Sequence, residues 1–283
     1  MVEGAHGYLD GVGGLRLFYR AWEITDARGK ILLVHGLGEH SGRYRQVASV
    51  LNGAGFNVYG LDLRGHGRSQ GRRGHVRRFE HLLQDVDRLR RRVCGAKPCG
   101  DPVFLLGHSL GGLVALRYMR EFACRSLCGA VIVAPFVEIR MPVPGWKLAL
   151  GRLADRFVPA LTLDNGLRRE KLFREEDERE AYRTDPLVHR RISARLWAEM
   201  RRAAEALRGP DTGEAHLLFQ VPGDDRIVNS RAALALASEL GEGSEVREYP
   251  EAYHDLYHDP LRESALRDAA AWIADRSEAS AAA

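Results

Sequence analysis

The stretch VFLLGHSLGGLVALRYM, Val103 to Met119, decides the fold. Four consecutive apolar residues lead into Gly107-His108-Ser109-Leu110-Gly111-Gly112, and an amphipathic run follows with Leu113, Leu116 and Met119 at helical spacing. An uninterrupted apolar run of this length reads as a strand covered on both faces. A serine between two glycines where such a strand turns into a helix is the arrangement of a nucleophile elbow. The turn is tight enough to strain the serine backbone and to require neighbours with almost no side chain. It lifts the hydroxyl clear of the sheet and aims the amide of Leu110, at a helix N-terminus, toward a developing oxyanion.

The same alternation extends outward in both directions. Apolar runs recur at Ile31 to Val34, Phe56 to Leu63, Ala130 to Ala134 and His216 to Val221, with Val246 to Tyr249 near the end. Helix-period segments lie between them at Tyr44 to Ala54, Phe79 to Cys94 and Leu110 to Phe122, and a last helix spans Leu261 to Asp275. Strand and helix in alternation predict a mostly parallel sheet with helices on both faces. The pattern breaks once. Between Ala134 and Ala215 no strand is evident, only the helical stretches GWKLALGRLADRF, LRREKLFREEDEREAY and SARLWAEMRRAAEALR. In the first, Trp146, Leu150, Leu153 and Phe157 share one face. The expected organisation is a core of residues 1–135 and 211–283 with a helical cap at 136–210, set over the edge where open α/β sheets bind ligands. The same stripe could instead pack down on the main domain.

A serine hydroxyl is a poor nucleophile until a base removes its proton, and that base needs a carboxylate to orient it. In this topology the partners follow the serine in the order acid, then histidine, each in a loop after a later strand. HLLFQV runs into Pro222-Gly223-Asp224-Asp225-Arg226, and VREY runs into Pro250-Glu251-Ala252-Tyr253-His254-Asp255. Asp224 and Asp225 both qualify chemically; Asp225 is favoured, with its neighbour as a turn-forming acid. His254 is favoured over His258, which lies beside Pro260 and is expected at the surface, and His108 is expected to pack beside the elbow. A second oxyanion donor is expected in His35-Gly36-Leu37-Gly38, where the glycines let the amide of Leu37 join that of Leu110.

These motifs resemble the monoacylglycerol lipase and lysophospholipase group of the α/β-hydrolases. HGLGEHSGRY, LDLRGHGRS, GHSLGG, the GDDRIV turn and EAYHDLYHD stand in the family's order, and Thr184-Asp185-Pro186 is similar to a motif of its lid. The resemblance implies an α/β-hydrolase fold, Ser109, Asp225 and His254 as triad, Leu37 and Leu110 as oxyanion amides, and a helical cap forming an acyl tunnel. It also implies that Glu39 and Arg43 lie near the head-group end, unless they simply pair with each other. Tyr257 departs from the pattern, standing where mammalian members have a histidine near the glycerol end. The activity implied is a serine esterase, without metal or cofactor, acting on single-chain lipid esters such as monoacylglycerols, with lysophospholipids or a broader range of carboxylic esters as the alternative.

Composition agrees with a globular enzyme. The 283 residues are 45% hydrophobic and 28% charged, with 42 basic against 38 acidic residues for a net charge of +4. The basic runs Gly71 to Arg78 and Arg88 to Val93 lack interleaved aromatics, so a nucleic-acid partner is not expected. No run reaches the roughly 18–20 apolar residues of a bilayer span, and the N-terminus lacks the pattern of a secretory signal. A cytoplasmic protein is expected, in transient contact with a membrane surface through the cap. Cys94, Cys99, Cys124 and Cys128 lack zinc-knuckle spacing and are expected as reduced thiols, a local Cys94–Cys99 disulfide being the alternative. The tail SEASAAA is expected to fray. Competing readings remain. His254 and His258 are four residues apart as in a zincin, but aspartate follows the first and prolines bound the segment. A non-catalytic receptor on the same fold would be expected to lack part of the triad.

Overall fold

The computed structural model describes residues 4–95, 100–122, 127–140, 145–208 and 216–281. The first strands, β1 (Ala5–Asp10) and β2 (Arg16–Trp22), pair antiparallel. They are followed by β3 (Gly29–Val34), α1 (Arg45–Gly53), β4 (Phe56–Leu61), α2 (Glu80–Cys94), β5 (Val103–His108), α3 (Leu110–Glu121) and β6 (Gly129–Val133). After an insertion come β9 (Leu217–Pro222), α8 (Ser230–Leu240), β10 (Ser244–Tyr249) and α9 (Arg262–Ala281). The eight-stranded sheet has the order β1-β2-β4-β3-β5-β6-β9-β10, parallel from β4 onward.

Alternate residues of one strand reach opposite faces of a sheet, and here both faces are apolar. Leu32, Val34, Leu105, Ile132 and Phe219 enter one core with α2, α3 and α8. Ile31, Leu33, Phe104, Leu106 and Val131 enter the other with α1 and α9. That two-sided burial is why the strands read as unbroken apolar runs. The strand expected to reach Leu63 stops at Leu61 because the Asp62 carboxylate turns into the following loop. There it accepts the Ser41 amide at 2.8 Å, the Ser41 hydroxyl at 2.5 Å and the Arg68 amide at 2.8 Å.

The insertion is not wholly helical. Besides α4 (Gly145–Phe157), α5 (Arg169–Leu172), α6 (Glu176–Thr184) and α7 (Ala194–Glu205), it holds β7 (Thr162–Asp164) and β8 (Arg191–Ser193), a three-residue antiparallel pair. Its attachment to the core is partly backbone: His189 N–H donates to Gly38 O and Ser193 N–H to Gly74 O, both at 2.8 Å. His40 adds a side-chain clasp. Its Nδ1 accepts the Gly42 amide, which leaves the proton on Nε2 to be donated to Asp185 at 2.8 Å. Leu196 and Met200 of α7 join the core beside α3. The α4 stripe does not pack down: Trp146 is 66% exposed, Leu150 57%, Leu153 55% and Phe157 68%.

Among the described residues no helix is long and apolar enough to cross a membrane. Cys99 and Cys124 lie outside the described residues, and with them any Cys94–Cys99 disulfide. The tail expected to fray continues α9 as far as Ala281.

The elbow is packed backbone to backbone. A β-carbon at Gly111 would lie 2.0 Å from Val34 O, and one at Gly107 2.2 Å from Gly111 O. Gly111→Ala is expected to destabilise the fold by about 3 kcal/mol or more, since rigid main chain cannot yield to the added methyl. Equilibrium urea unfolding measures this; a wild-type midpoint would show that the helix can move away from the strand.

Candidate active site

Three loops at the C-terminal edge of the parallel strands bring their residues together. At the end of β5 the Ser109 backbone adopts φ 54° and ψ −112°, a conformation that L-residues avoid. It is held there by its own amide, which donates to Val133 O at 2.9 Å, and by its carbonyl, which accepts the Phe136 amide at 3.1 Å.

His254, in the loop after β10, places Nε2 2.9 Å from Ser109 Oγ and Nδ1 2.7 Å from Asp225 Oδ2. Asp225 lies in the loop after β9, and its other oxygen accepts the amides of Ile227 and Val228 at 2.7 and 2.9 Å. The carboxylate accepts Nδ1–H, so the free Nε2 faces the serine hydroxyl as an acceptor. Ser109, His254 and Asp225 are all buried. Their arrangement can pass a proton from hydroxyl to imidazole while the aspartate stabilises the resulting charge.

The neighbouring candidates point elsewhere. Asp224 is half-buried and pairs with Arg226 at 2.8 Å. Contrary to the surface position expected for it, His258 is largely enclosed, with Nδ1 2.8 Å from Asp255 and Nε2 3.1 Å from Arg43 O. Tyr257 is buried on the far side of the loop and donates to Gln220 Oε1 at 2.6 Å, so the departure at this position lies in the core, away from Ser109.

The turn after β3 lies against the elbow. A β-carbon at Gly36 would come within 3.3 Å of Ser109 Cβ, which sets Leu37 at the rim of the same site. Leu110 opens α3, so its amide has no acceptor within the helix. His35 braces the turn: Nδ1 donates to Gly36 O at 2.7 Å and Nε2 accepts the Leu63 amide at 3.0 Å. Burial pushes its pKa down, favouring the neutral ring that this bonding requires.

The Glu39 and Arg43 side chains are turned inward and pair with each other, the alternative to a head-group role that their spacing left open. Glu39 Oε1 accepts the Gly36 amide at 2.6 Å and the Tyr44 hydroxyl at 2.8 Å, and lies 3.2 Å from His108 Nδ1. Its Oε2 is 3.4 Å from Arg43 Nε. The Arg43 guanidinium is sandwiched with the rings of Phe173 and Tyr182, 5.3 and 5.0 Å from their centroids. Burial alone would raise the Glu39 pKa, but the His108 hydrogen bond and the charges of His108 and Arg43 outweigh it and hold the carboxyl well below the usual range. His108, expected merely to pack beside the elbow, is thus bonded to this carboxylate. Nothing in its sequence context beyond adjacency to the serine signals that.

Comparison with known proteins follows the same lines. Residues 25–261 match the family described as Hydrolase_4, serine aminopeptidase S33. The chain is 32% identical to a monoacylglycerol lipase of Mycolicibacterium smegmatis, covering 93% of this chain and 94% of that one. It is 28% identical to the phospholipase YtpA of Bacillus subtilis over 89% of this chain and 97% of the relative. A crystal structure of a Paleococcus ferrophilus monoacylglycerol lipase superposes with a TM-score of 0.82 at 34% identity, covering 92% of this chain and 99% of that one.

The strained serine backbone makes a stability difference measurable. Ser109→Gly is expected to be more stable than Ser109→Ala by about 1 kcal/mol, since only alanine keeps a β-carbon in the disfavoured region and glycine's greater unfolded-state entropy offsets only part of the relief. Equal urea midpoints for the two variants would mean that the elbow stores no strain.

Proposed function

The chain belongs to the serine aminopeptidase S33 (Hydrolase_4) family, in the monoacylglycerol lipase group of the α/β-hydrolases, and from this premise we propose that it is a serine hydrolase cleaving the ester of single-acyl-chain lipids. The observation that carries the proposal is the pair of contacts made by His254, 2.9 Å to Ser109 and 2.7 Å to Asp225. Ser109 Oγ attacks the acyl carbonyl while His254 Nε2 takes its proton, and Asp225 holds the Nδ1–H tautomer and stabilises the imidazolium. The amides of Leu37 and Leu110 donate to the tetrahedral oxyanion; one such donor is worth roughly 10²–10³ in rate. His254 returns its proton to the departing alcohol. It then activates water, which attacks the acyl-enzyme, releases the fatty acid and restores the serine. The cycle needs no metal or cofactor.

Residues 136–210 serve as the cap and residues 1–135 and 211–283 as the catalytic core. The monoacylglycerol lipases among the relatives support glycerol as the head group, and the phospholipase relative keeps a lysophospholipid as the second reading. The exposed face of Trp146, Leu150, Leu153 and Phe157 is the cap's contact with the lipid surface from which such substrates come.

A fluorophosphonate probe is expected to label wild type and not Ser109→Ala. Asp225→Asn should lower kcat by about 10⁴ through the wrong imidazole tautomer. Hydrolysis should favour lauroyl and oleoyl monoglycerides over acetyl monoglyceride, and a parallel lysophospholipid assay ranks the head groups. An unlabelled folded protein would overturn the catalytic reading, and equal turnover of all chain lengths the lipid one. Replacing Trp146 and Phe157 together with serine is expected to weaken sedimentation with phospholipid vesicles; unchanged sedimentation would remove the membrane contact.

A further inference from the structure

His108 has a place in the site that the proton-transfer scheme does not use. Its ring is 4% exposed and sits between two acceptors, Nδ1 3.2 Å from Glu39 Oε1 and Nε2 3.1 Å from the backbone carbonyl of His254. A neutral imidazole has one donor nitrogen and can satisfy only one of these. With an acceptor at each nitrogen, the bonding calls for the imidazolium, and Glu39 is the carboxylate that balances its charge.

The links radiating from this pair reach each part of the site. Glu39 bonds the Gly36 amide, and so fixes the turn bearing Leu37. His108 is covalently joined to Ser109. It also bonds the main chain of His254, whose ring lies 5.1 Å from its own. We propose that the buried Glu39–His108 ion pair is a positioning device that holds the oxyanion turn, the nucleophile and the base in mutual register. The inference rests on the catalytic reading of Ser109 and His254 given above.

The surroundings favour the charged ring. Arg43 and Tyr44 face the pair from the turn just before α1, His35 from the end of β3, and His254, Asp255 and His258 from the loop after β10. Burial opposes protonation of His108, but the Glu39 bond and the charges of Asp255 and Glu39 outweigh it and raise the pKa to about 9. A raised pKa means that the imidazolium's contribution is fully present below the ordinary value and is lost as pH climbs through about 9. Above that point one of the two bonds has no proton, and the register of the site loosens.

The test is kcat and KM for a dissolved short-chain ester from neutral pH to above about 9, for wild type, Glu39→Gln, His108→Gln and the double variant. Wild-type kcat is expected to fall above about pH 9 with KM little changed. His108→Gln, which keeps an N–H donor but no charge, should lower kcat at neutral pH roughly 10- to 100-fold, the scale of a misaligned reacting group. It should also abolish the alkaline fall. Glu39→Gln should move that fall to lower pH, and the double variant should be no worse than the sum of one linkage lost. A folded His108→Gln protein with wild-type kcat, or with the alkaline fall intact, overturns the proposal. Should His108→Gln not fold, Glu39→Gln decides: an unmoved alkaline fall overturns it. Failure of the catalytic reading looks different, because Ser109→Ala would then retain turnover, or wild type would resist the fluorophosphonate, whatever residue stands at 108.

Discussion

The site depends on a constraint in the main chain: Ser109 must hold a disfavoured φ/ψ pair while a strand on one side and a helix on the other pull it straight. Backbone strain of this kind persists only where the surroundings over-determine it. Here they do so from three directions. The β6 carbonyl at Val133 takes the serine amide, Phe136 donates to its carbonyl, and Gly111 lets α3 rest directly on the carbonyl of Val34. Each of those anchors belongs to a neighbouring parallel strand or its exit, so the position of one hydroxyl is set by the packing of three strands. Rigidity at Ser109 follows from the two apolar cores that clamp the sheet, and no flexible loop intervenes.

The electrostatics obey a similar economy. Buried charge is costly unless neutralised at close range, and the site contains several buried charges. Asp225 is answered by His254 and two backbone amides. Glu39 is answered by His108, Arg43 and Tyr44, and Asp255 by His258 and Arg43. Each of these carboxylates thus has hydrogen-bond donors or a cation beside it. The outer network touches the inner trio at the main chain of His254 and at the residue next to Ser109. It can therefore hold the geometry without entering the proton path.

What the sequence revealed and what it hid have the same physical cause. Strands β3 to β6 and β9 were readable because both faces are buried, which leaves unbroken apolar runs. Ser109, Asp225 and His254 were readable because this topology puts functional groups where such runs end. The β1–β2 hairpin escaped notice because β1 is an edge strand whose residues are mostly exposed, so it carries little apolar signal. The β7–β8 pair is shorter still, and contacts such as His189 to Gly38 hold its segment in place, a tertiary effect that no local pattern records. The enclosure of His258, and the pairing that turns Glu39 and Arg43 inward, leave no local signal because charged and polar residues are exposed by default. These side chains are satisfied in part through contacts between segments distant in sequence. The burial of Tyr257 was not legible either, because the direction of a side chain in a tight loop depends on dihedral angles that residue identity does not fix.

The same contrast separates the strand ends from the insertion. In the proposed reaction the parts that cleave an ester are main-chain amides and three side chains at strand ends, all fixed by a core whose pattern is strong. In the insertion α4 exposes Trp146 and Phe157, while α7 packs Leu196 and Met200 into the core and hydrogen bonds tie the remaining segments to it. The exposed α4 face can be substituted at little cost to the sheet, whereas a β-carbon at Gly111 cannot be accommodated without moving main chain. Reaction type is therefore the better determined property of this chain.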